Sequence, residues 1–434
     1  MSLLHINDRP GQYPDSWYAA TAHPPLGLSA LAGDTRADIC VVGAGYTGLS
    51  AALHLAQRGY DVTVLEAQRV GFGASGRNGG QVGSGQRIGQ QALEAMVGPD
   101  DAAKLWDIGE AAKAKVKSLI ATHAIDCDWR DGVAYADWHA DDVIETHEEA
   151  AHLRAHYDYR QIQALGRDGI AALTGTDVFA GGLVDHGAGH LHPLRFAFGL
   201  ARAALDAGVT IHEASEVTAL SPAPHPRVQT RSGTVQADQV ILACNGYLGG
   251  LAPDTAARIM PINNFIIATE PLGAEFDAIL PGREAVADSR FVVNYWRMTA
   301  DRRLLFGGGE SYGPRFPRDI AALVRRPLVQ IYPQLAEQSI THAWGGTLAI
   351  TQSRLPCFHS PAPGVLAMAG YSGHGVALAT LAGEIAAEAV AGHSERFDLM
   401  ARLPVPQFPG GTALRRPLLV LAMAWYALRD RLGL

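Results

Sequence analysis

Apolar and polar positions change period several times along this chain, and each change predicts an element. Residues 38–66 read DICVVGAGYTGLSAALHLAQRGYDVTVLE. The apolar run Ile39–Val42 predicts a buried strand, and Leu49, Ala52, Leu53 and Leu55, three and four residues apart, predict a helix that Gly59 ends. A second strand then leads to Glu66. Helical spacing returns over 102–121 and 142–155, whereas FIIATE (265–270), FVVNYW (291–296) and RLLFGGG (303–309) alternate as strands do. An apolar helix follows SGHGV (372–376). The longest unbroken apolar run, LLVLAMAWYAL (418–428), is bracketed by Arg415, Arg416 and Arg429. A helix needs about 20 residues to span a bilayer, so this run reads as packed into the body or as touching a membrane surface or partner.

Strand, glycine turn, helix, strand and acid fall in order within 38–66, which predicts a dinucleotide site. Gly43 makes the tight turn, Gly45 lets backbone approach a pyrophosphate, and Gly48 lets helix and strand pack closely. The phosphates would meet the unpaired N–H groups and positive dipole end of the helix. Glu66 suits ribose hydroxyls and disfavours a 2′-phosphate, so NADP is not expected. The stretch 71–85, GFGASGRNGGQVGSG, has seven glycines in fifteen positions and follows this unit directly. An NAD-binding sheet would continue here. A loop whose backbone must lie against a broad ring explains the glycines better, and that points to a flavin.

Composition narrows the partners. The chain has 434 residues, enough for two or three lobes, with 48% hydrophobic and 18% charged positions. Its net charge of −8 and lack of a Lys/Arg run argue against nucleic acid. Cys40, Cys127, Cys244 and Cys357 are scattered and suggest neither a zinc site nor a disulfide framework. The opening MSLLHINDRPGQ lacks a signal-peptide pattern, so a reducing, cytoplasmic setting is the expectation. DHGAGHLH (185–192) gathers Asp185, His186, His190 and His192, but without a metal-ligand helix or hairpin pattern no metal is expected.

Together with the fingerprint, VGFGASGRNGGQ (70–81), GGLVDHGAGHLHPLR (181–195), YWRMTADRRLLFGGG (295–309) and GYSGHGVALATLAGEIAAE (370–388) resemble the D-amino-acid oxidase-like FAD-dependent flavoproteins. Within these, the likeness is to the branch that oxidises γ-glutamylputrescine, and it runs nearly end to end. It implies an α/β fold: a Rossmann-like FAD-binding domain of glutathione-reductase type, interleaved with an α+β substrate domain on an antiparallel sheet. The expected boundaries are an N-terminal extension 1–35, an FAD domain of 36–90, 180–250 and 340–394, a substrate domain of 91–179 and 251–339, and a C-terminal extension 395–434.

The same resemblance implies cofactor contacts at Gly43, Gly45, Tyr46, Thr47, Gly48, Glu66 and Ala67 for the adenosine diphosphate, with Val217 at the adenine and Ala243 beneath the cofactor. Ala74, Ser75, Gly76, Arg77, Asn78, Gly79, Gly80 and Gln81 would line the flavin on one side. Gly373, His374, Gly375 and Val376 would do so at the start of the apolar helix, with His374 as a cap or packing residue rather than a base. Expected pocket residues are His186, His192, Tyr295, Arg297, Trp344 and Tyr371, with Tyr295 and Arg297 on one strand face and Trp296 on the other. Aromatic walls suit an alkylammonium chain. No catalytic acid or base is named, because the flavin supplies the hydride acceptor.

Sarcosine-type relatives attach flavin to a cysteine in the segment matching 344–356. None occurs here and Cys357 lies just beyond, so FAD is expected to be non-covalent. Where those relatives carry a lysine that helps oxygen react, RLLFGG (303–308) offers Leu305, which leaves oxygen or a carrier as acceptor. TLAIT (347–351) has no arginine to hold an α-carboxylate, favouring an amine whose reacting carbon is not beside one. The expected reaction converts such an amine to an imine, then an aldehyde and ammonia, with hydrogen peroxide formed. The competing readings are a dehydrogenase of imino acids or other amines, and a flavoprotein acting on RNA.

Overall fold

A computed structural model describes residues 3–412 except 26 and 223. The apolar run 418–428 lies outside the described residues. Among them, no single helix is long and apolar enough to cross a membrane.

Two sheets organise the chain. The first has the order Cys357–Ala362, Val365–Ala369, Thr234–Leu242, Thr35–Val42, Val62–Leu65, Thr210–His212, with the short pair Ala219–Ser221 and Arg227–Gln229 hung from Thr234–Leu242. From Val365–Ala369 to Thr210–His212 the strands are parallel, and their central residues, such as Val62–Leu65, 240–242 and 40–42, are buried, as a sheet covered on both faces requires. Thr35–Val42 sits between strands that come far later and just after it in sequence. The chain therefore reverses direction across the sheet at the carboxyl end of this strand, and the crevice opens there.

The fingerprint helix Tyr46–Ala56 starts at that crevice and crosses the apolar helix Gly375–Val390. The two approach so closely that a Cβ on Gly383 would lie 2.4 Å from the Ala51 nitrogen. The long helix Pro99–Thr122 turns Leu105, Ile108, Ala112, Val116 and Leu119 into this same core.

The second sheet runs Ile340–Ile350, Met260–Thr269, Leu304–Ser311, Tyr295–Met298, Ala285–Asp288, Arg130–Asp137, Gly181–His190, Gln81–Val82, with Ile162–Gly166 also paired to Gly181–His190. Most pairs are antiparallel; Ala285–Asp288 and Arg130–Asp137 are parallel. Its far face closes a separate core around Trp296, Phe306, Phe265 and Phe179, covered by the helix Ile320–Ile331. Burying each such aromatic side chain is worth about 1.5–3 kcal/mol.

The boundaries differ from expectation in three places. Strands 181–190 and 340–350 belong to the second sheet, although both were expected with the first. The helix Pro99–Thr122, expected with the substrate domain, packs on the first core. The strand expected over 291–296 is formed only from Tyr295, because the Asp288 carboxylate accepts the backbone and side-chain N–H groups of Asn294 and folds 289–294 into a turn.

Candidate active site

A cavity of about 1380 Å³ lies between the two sheets, larger than the ~300–1,000 Å³ of a usual small-molecule pocket. At one end it is built from the fingerprint. Gly43 has φ +106°, and a Cβ there would lie 2.8 Å from the Ala243 carbonyl oxygen, so only glycine makes this turn. Gly45, which has no side chain to cap the helix, puts the helix start at the cavity, where the N–H groups after Tyr46 have no side-chain cap. Glu66 closes this end. Its carboxylate accepts the Ala44 and Gln68 N–H groups, each at 2.8 Å, yet burial outweighs them and pushes the carboxyl up to about 7. Ala67, Val217 and Ala243 complete the wall.

The glycine loop forms the next wall, and its polar side chains hold it in shape. Asn78 donates to the Ala74 and Ser75 carbonyls, both at 3.0 Å, and accepts the Gly80 N–H at 2.7 Å. Ser75 accepts the Tyr46 N–H at 3.0 Å, tying the loop to the fingerprint. Arg77, only 3% exposed, donates to the Phe72 and Gly345 carbonyls and pairs with both oxygens of Asp8 at 3.0 Å. Gly79 backbone lies on the Tyr295 ring, where a Cβ would approach to 2.7 Å. Opposite stands the uncapped start of the helix Gly375–Val390, a second set of free N–H groups facing the cavity. His374 lines it too; burial first, then Arg87, pushes its imidazole down to about 4, so it is neutral at pH 7.

Of the nucleotide-site residues expected from sequence, Gly48 and Gly76 stand behind the wall. A Cβ at either would meet a backbone oxygen, that of Gly43 at 1.9 Å and that of Gly71 at 2.2 Å, so both are close-packing positions. Tyr46, Thr47, Ala74, Gln81, Gly373 and Val376 line the cavity with the others already named. His374 sits at the first position before its helix and makes no side-chain capping bond, which among the expected roles of cap or packing residue leaves packing.

The six expected pocket residues separate. Tyr295 and Tyr371 line the cavity; the Tyr295 hydroxyl donates to Asn264, and the Tyr371 and Thr47 hydroxyls lie 2.8 Å apart. Three others support the wall from behind. Arg297 donates to the Gly79 carbonyl at 3.0 Å, and the Trp344 indole donates to the Arg77 carbonyl at 3.1 Å. His192 accepts the Arg195 N–H at the start of the helix Pro193–Asp206, under Tyr18. His186 is exposed on its strand and takes no part. Asp185, His186, His190 and His192 thus reach different surroundings: Asp185 holds Tyr159 and Ser84, and His190 bonds the Arg283 carbonyl.

Apart from Tyr295, sequence reasoning missed the cavity floor. Register aligns Tyr295, Ala287, Tyr135 and Leu183 on one rung across four strands, all facing the cavity. Asp137 and Asp185 lie two residues to either side on the same face. Glu310, raised by burial, also lines the cavity. Arginines enter from outside 344–350, namely Arg87, Arg290 and Arg354. No local signal marks Ala287, Tyr135, Leu183 and Asp137, since strand pairing assembles them.

The donor set fits a flavin dinucleotide: two open helix N-termini, a buried acid and a wall of glycines that side chains would fill. The profile of the family described as FAD dependent oxidoreductase (DAO) matches residues 38–389. The chain is 43% identical over 417 residues to a probable oxidoreductase OrdL of Rhizobium meliloti, covering 96% of this chain and 97% of that one. It is 40% identical over 424 residues to the γ-glutamylputrescine oxidoreductase of Escherichia coli, covering 97% and 99%. The fold is shared with glycine oxidase from Geobacillus kaustophilus, at TM-score 0.73 and 20% identity, over 86% of this chain and all of that one. L-proline dehydrogenase from P. horikoshii matches at TM-score 0.68 and 20% identity, over 86% and 96%. With fold, cavity and sequence in agreement, this chain belongs to the DAO family of FAD-dependent oxidoreductases.

Proposed function

We propose that the chain is an amine oxidase acting on γ-glutamylputrescine or a closely related amine. The observation that carries this reading is the cavity floor, where Tyr295 and Tyr135 flank apolar Ala287 on one rung beside the glycine loop. Such a floor suits a polymethylene chain ending in an amine. Likeness to the E. coli γ-glutamylputrescine oxidoreductase over nearly the whole of both chains supports the same substrate class.

FAD, when bound, supplies the hydride acceptor. In this reading the fingerprint residues Gly43, Gly45, Tyr46 and Thr47 hold its pyrophosphate, and Glu66 accepts the adenosine ribose hydroxyls. Arg77–Gln81 and Gly373–Val376 enclose the ring, with backbone N–H groups of the second helix stabilising negative charge on it. Tyr295 and Tyr371 orient the amine. Neutral His374 avoids adding a positive charge beside a cationic substrate. The attachment is non-covalent: Cys357 is buried away from the cavity, and the Cys244 thiol, which lines it, donates to the Val42 carbonyl and is pushed up to about 12 by burial. Overall, amine, oxygen and water give aldehyde, ammonia and hydrogen peroxide.

The second reading is an imino acid or amine dehydrogenase that passes electrons to a carrier. Arg87 and Arg354 favour it, because a guanidinium in the cavity suits a substrate carboxylate. Peroxide yield with purified protein separates the two. One peroxide per γ-glutamylputrescine consumed supports the oxidase, while turnover of proline or pipecolate with a dye alone supports the dehydrogenase.

A further inference from the structure

The strand Arg130–Asp137 turns Ala134 and Ala136 into the second core, so Tyr135 and Asp137 share the cavity face. Tyr135 stands against the glycine loop, its hydroxyl 3.2 Å from where a Gly83 Cβ would be. Asp137 lies two residues, about 7 Å, farther along the floor. It is only 3% exposed, and its Oδ2 has no hydrogen-bond partner. A Thr146 hydroxyl bonds the carboxyl, Glu145 adds a second negative charge near it, and both residues of the helix Ala140–His156 line the cavity. A carboxylate buried without a counter-charge is costly, and an arriving cation removes that cost. The neighbouring cations are engaged elsewhere. His147 bonds the Leu165 and Gly182 carbonyls, while Arg290 stacks over Trp138 with Asp288 beside it. No group of three or more such side chains among the described residues could hold a metal ion.

We propose that Asp137, with Thr146 and the rim carboxylate Glu145, forms a subsite for an ammonium at the end of the substrate remote from the oxidised carbon. This rests on the amine-oxidase reading and deepens it. A γ-glutamyl group carries such an ammonium. Burial, with Asp142 and Glu145 adding to it, pushes the Asp137 carboxyl up to about 6 against the Thr146 bond and His147. The subsite is therefore anionic at neutral pH.

The test compares γ-glutamylputrescine with its α-N-acetyl derivative, which lacks the remote charge, on wild-type and Asp137→Asn holoenzyme. Wild type should show a KM about tenfold or more higher for the acetylated compound, the loss of one charge-assisted contact. Asp137→Asn should raise KM for the parent to that level, leaving kcat and the acetylated compound unchanged. An equal effect on both compounds, or on neither, overturns the subsite. If Asp137→Asn loses FAD on purification, Thr146→Val serves instead, with the same selective direction and a smaller change. Should γ-glutamylputrescine fail to bleach the flavin, the oxidase reading falls, and binding alone decides the subsite. γ-Glutamylbutylamide, which has the remote ammonium and no oxidisable amine, should perturb the flavin spectrum of wild type but not of Asp137→Asn. Equal perturbation, or none in either, contradicts it.

Discussion

Glu66 sits at a balance of two opposing effects. Burial raises its carboxyl to about 7, while the N–H groups of Ala44, Gln68 and Ala67 oppose that rise. Hydroxyl donors favour the charged form, so binding a ribose there should release a proton. FAD affinity of the apoprotein is therefore expected to be full above pH 7 and to fall as pH drops through that value. Titrating FAD into apoprotein across this range checks it, and Glu66→Gln should flatten the profile. Gly48 gives a stability test. An alanine Cβ would meet the Gly43 oxygen at 1.9 Å, so Gly48→Ala must move backbone and should cost about 3 kcal/mol or more by denaturant unfolding. Gly59→Ala, at φ +89° with open space around it, should cost nearer 1 kcal/mol. Gly48 was legible in sequence because close backbone approach excludes every other residue, and Gly59 because a helix end at positive φ favours glycine. Tyr135 and Asp137 were not, since nothing in YAD (135–137) marks its strand as the floor of a site.

At the scale of elements, the N-terminal segment acts as a strap. Asp8 pairs with buried Arg77, Asn7 bonds the backbone of Pro314 and Phe316, and Gln68 holds the Leu4 carbonyl and the Gly11 N–H. Leu3 and Leu4 line the cavity. Removing one partner of a buried ion pair costs about 3–5 kcal/mol, and the carbonyls on Arg77 place Asp8→Ala near the lower figure. The variant should melt earlier and release FAD faster, read as growth of free-flavin fluorescence after dilution. Unchanged release would mean that the strap does not hold the cofactor. Helices 102–121 and 142–155 were readable from their period, and the structure extends them to Pro99–Thr122 and Ala140–His156. The strand at 291–296 was overread: Phe291 is 67% exposed, and its apolar neighbours belong to a turn that Asp288 closes.

Across the whole molecule, the cavity belongs to neither sheet alone. Its fingerprint end comes from the first sheet and its floor from the second, and the loop 71–85 joins them because Gln81–Val82 pairs with Gly181–His190. Sequence made the first half readable through one contiguous fingerprint. The second half depends on register among strands up to about 160 residues apart, such as Tyr295 and Tyr135 meeting through Ala287. Both halves must serve one reaction for the amine-oxidase reading to hold. Its most direct test is anaerobic addition of γ-glutamylputrescine to the purified protein while the visible absorbance of oxidised flavin is followed. The expected result is a yellow protein that bleaches rapidly, then regains its colour and yields hydrogen peroxide when air is admitted. A colourless protein unable to take up FAD, or a flavin bleached by proline or pipecolate and not by γ-glutamylputrescine, would contradict it.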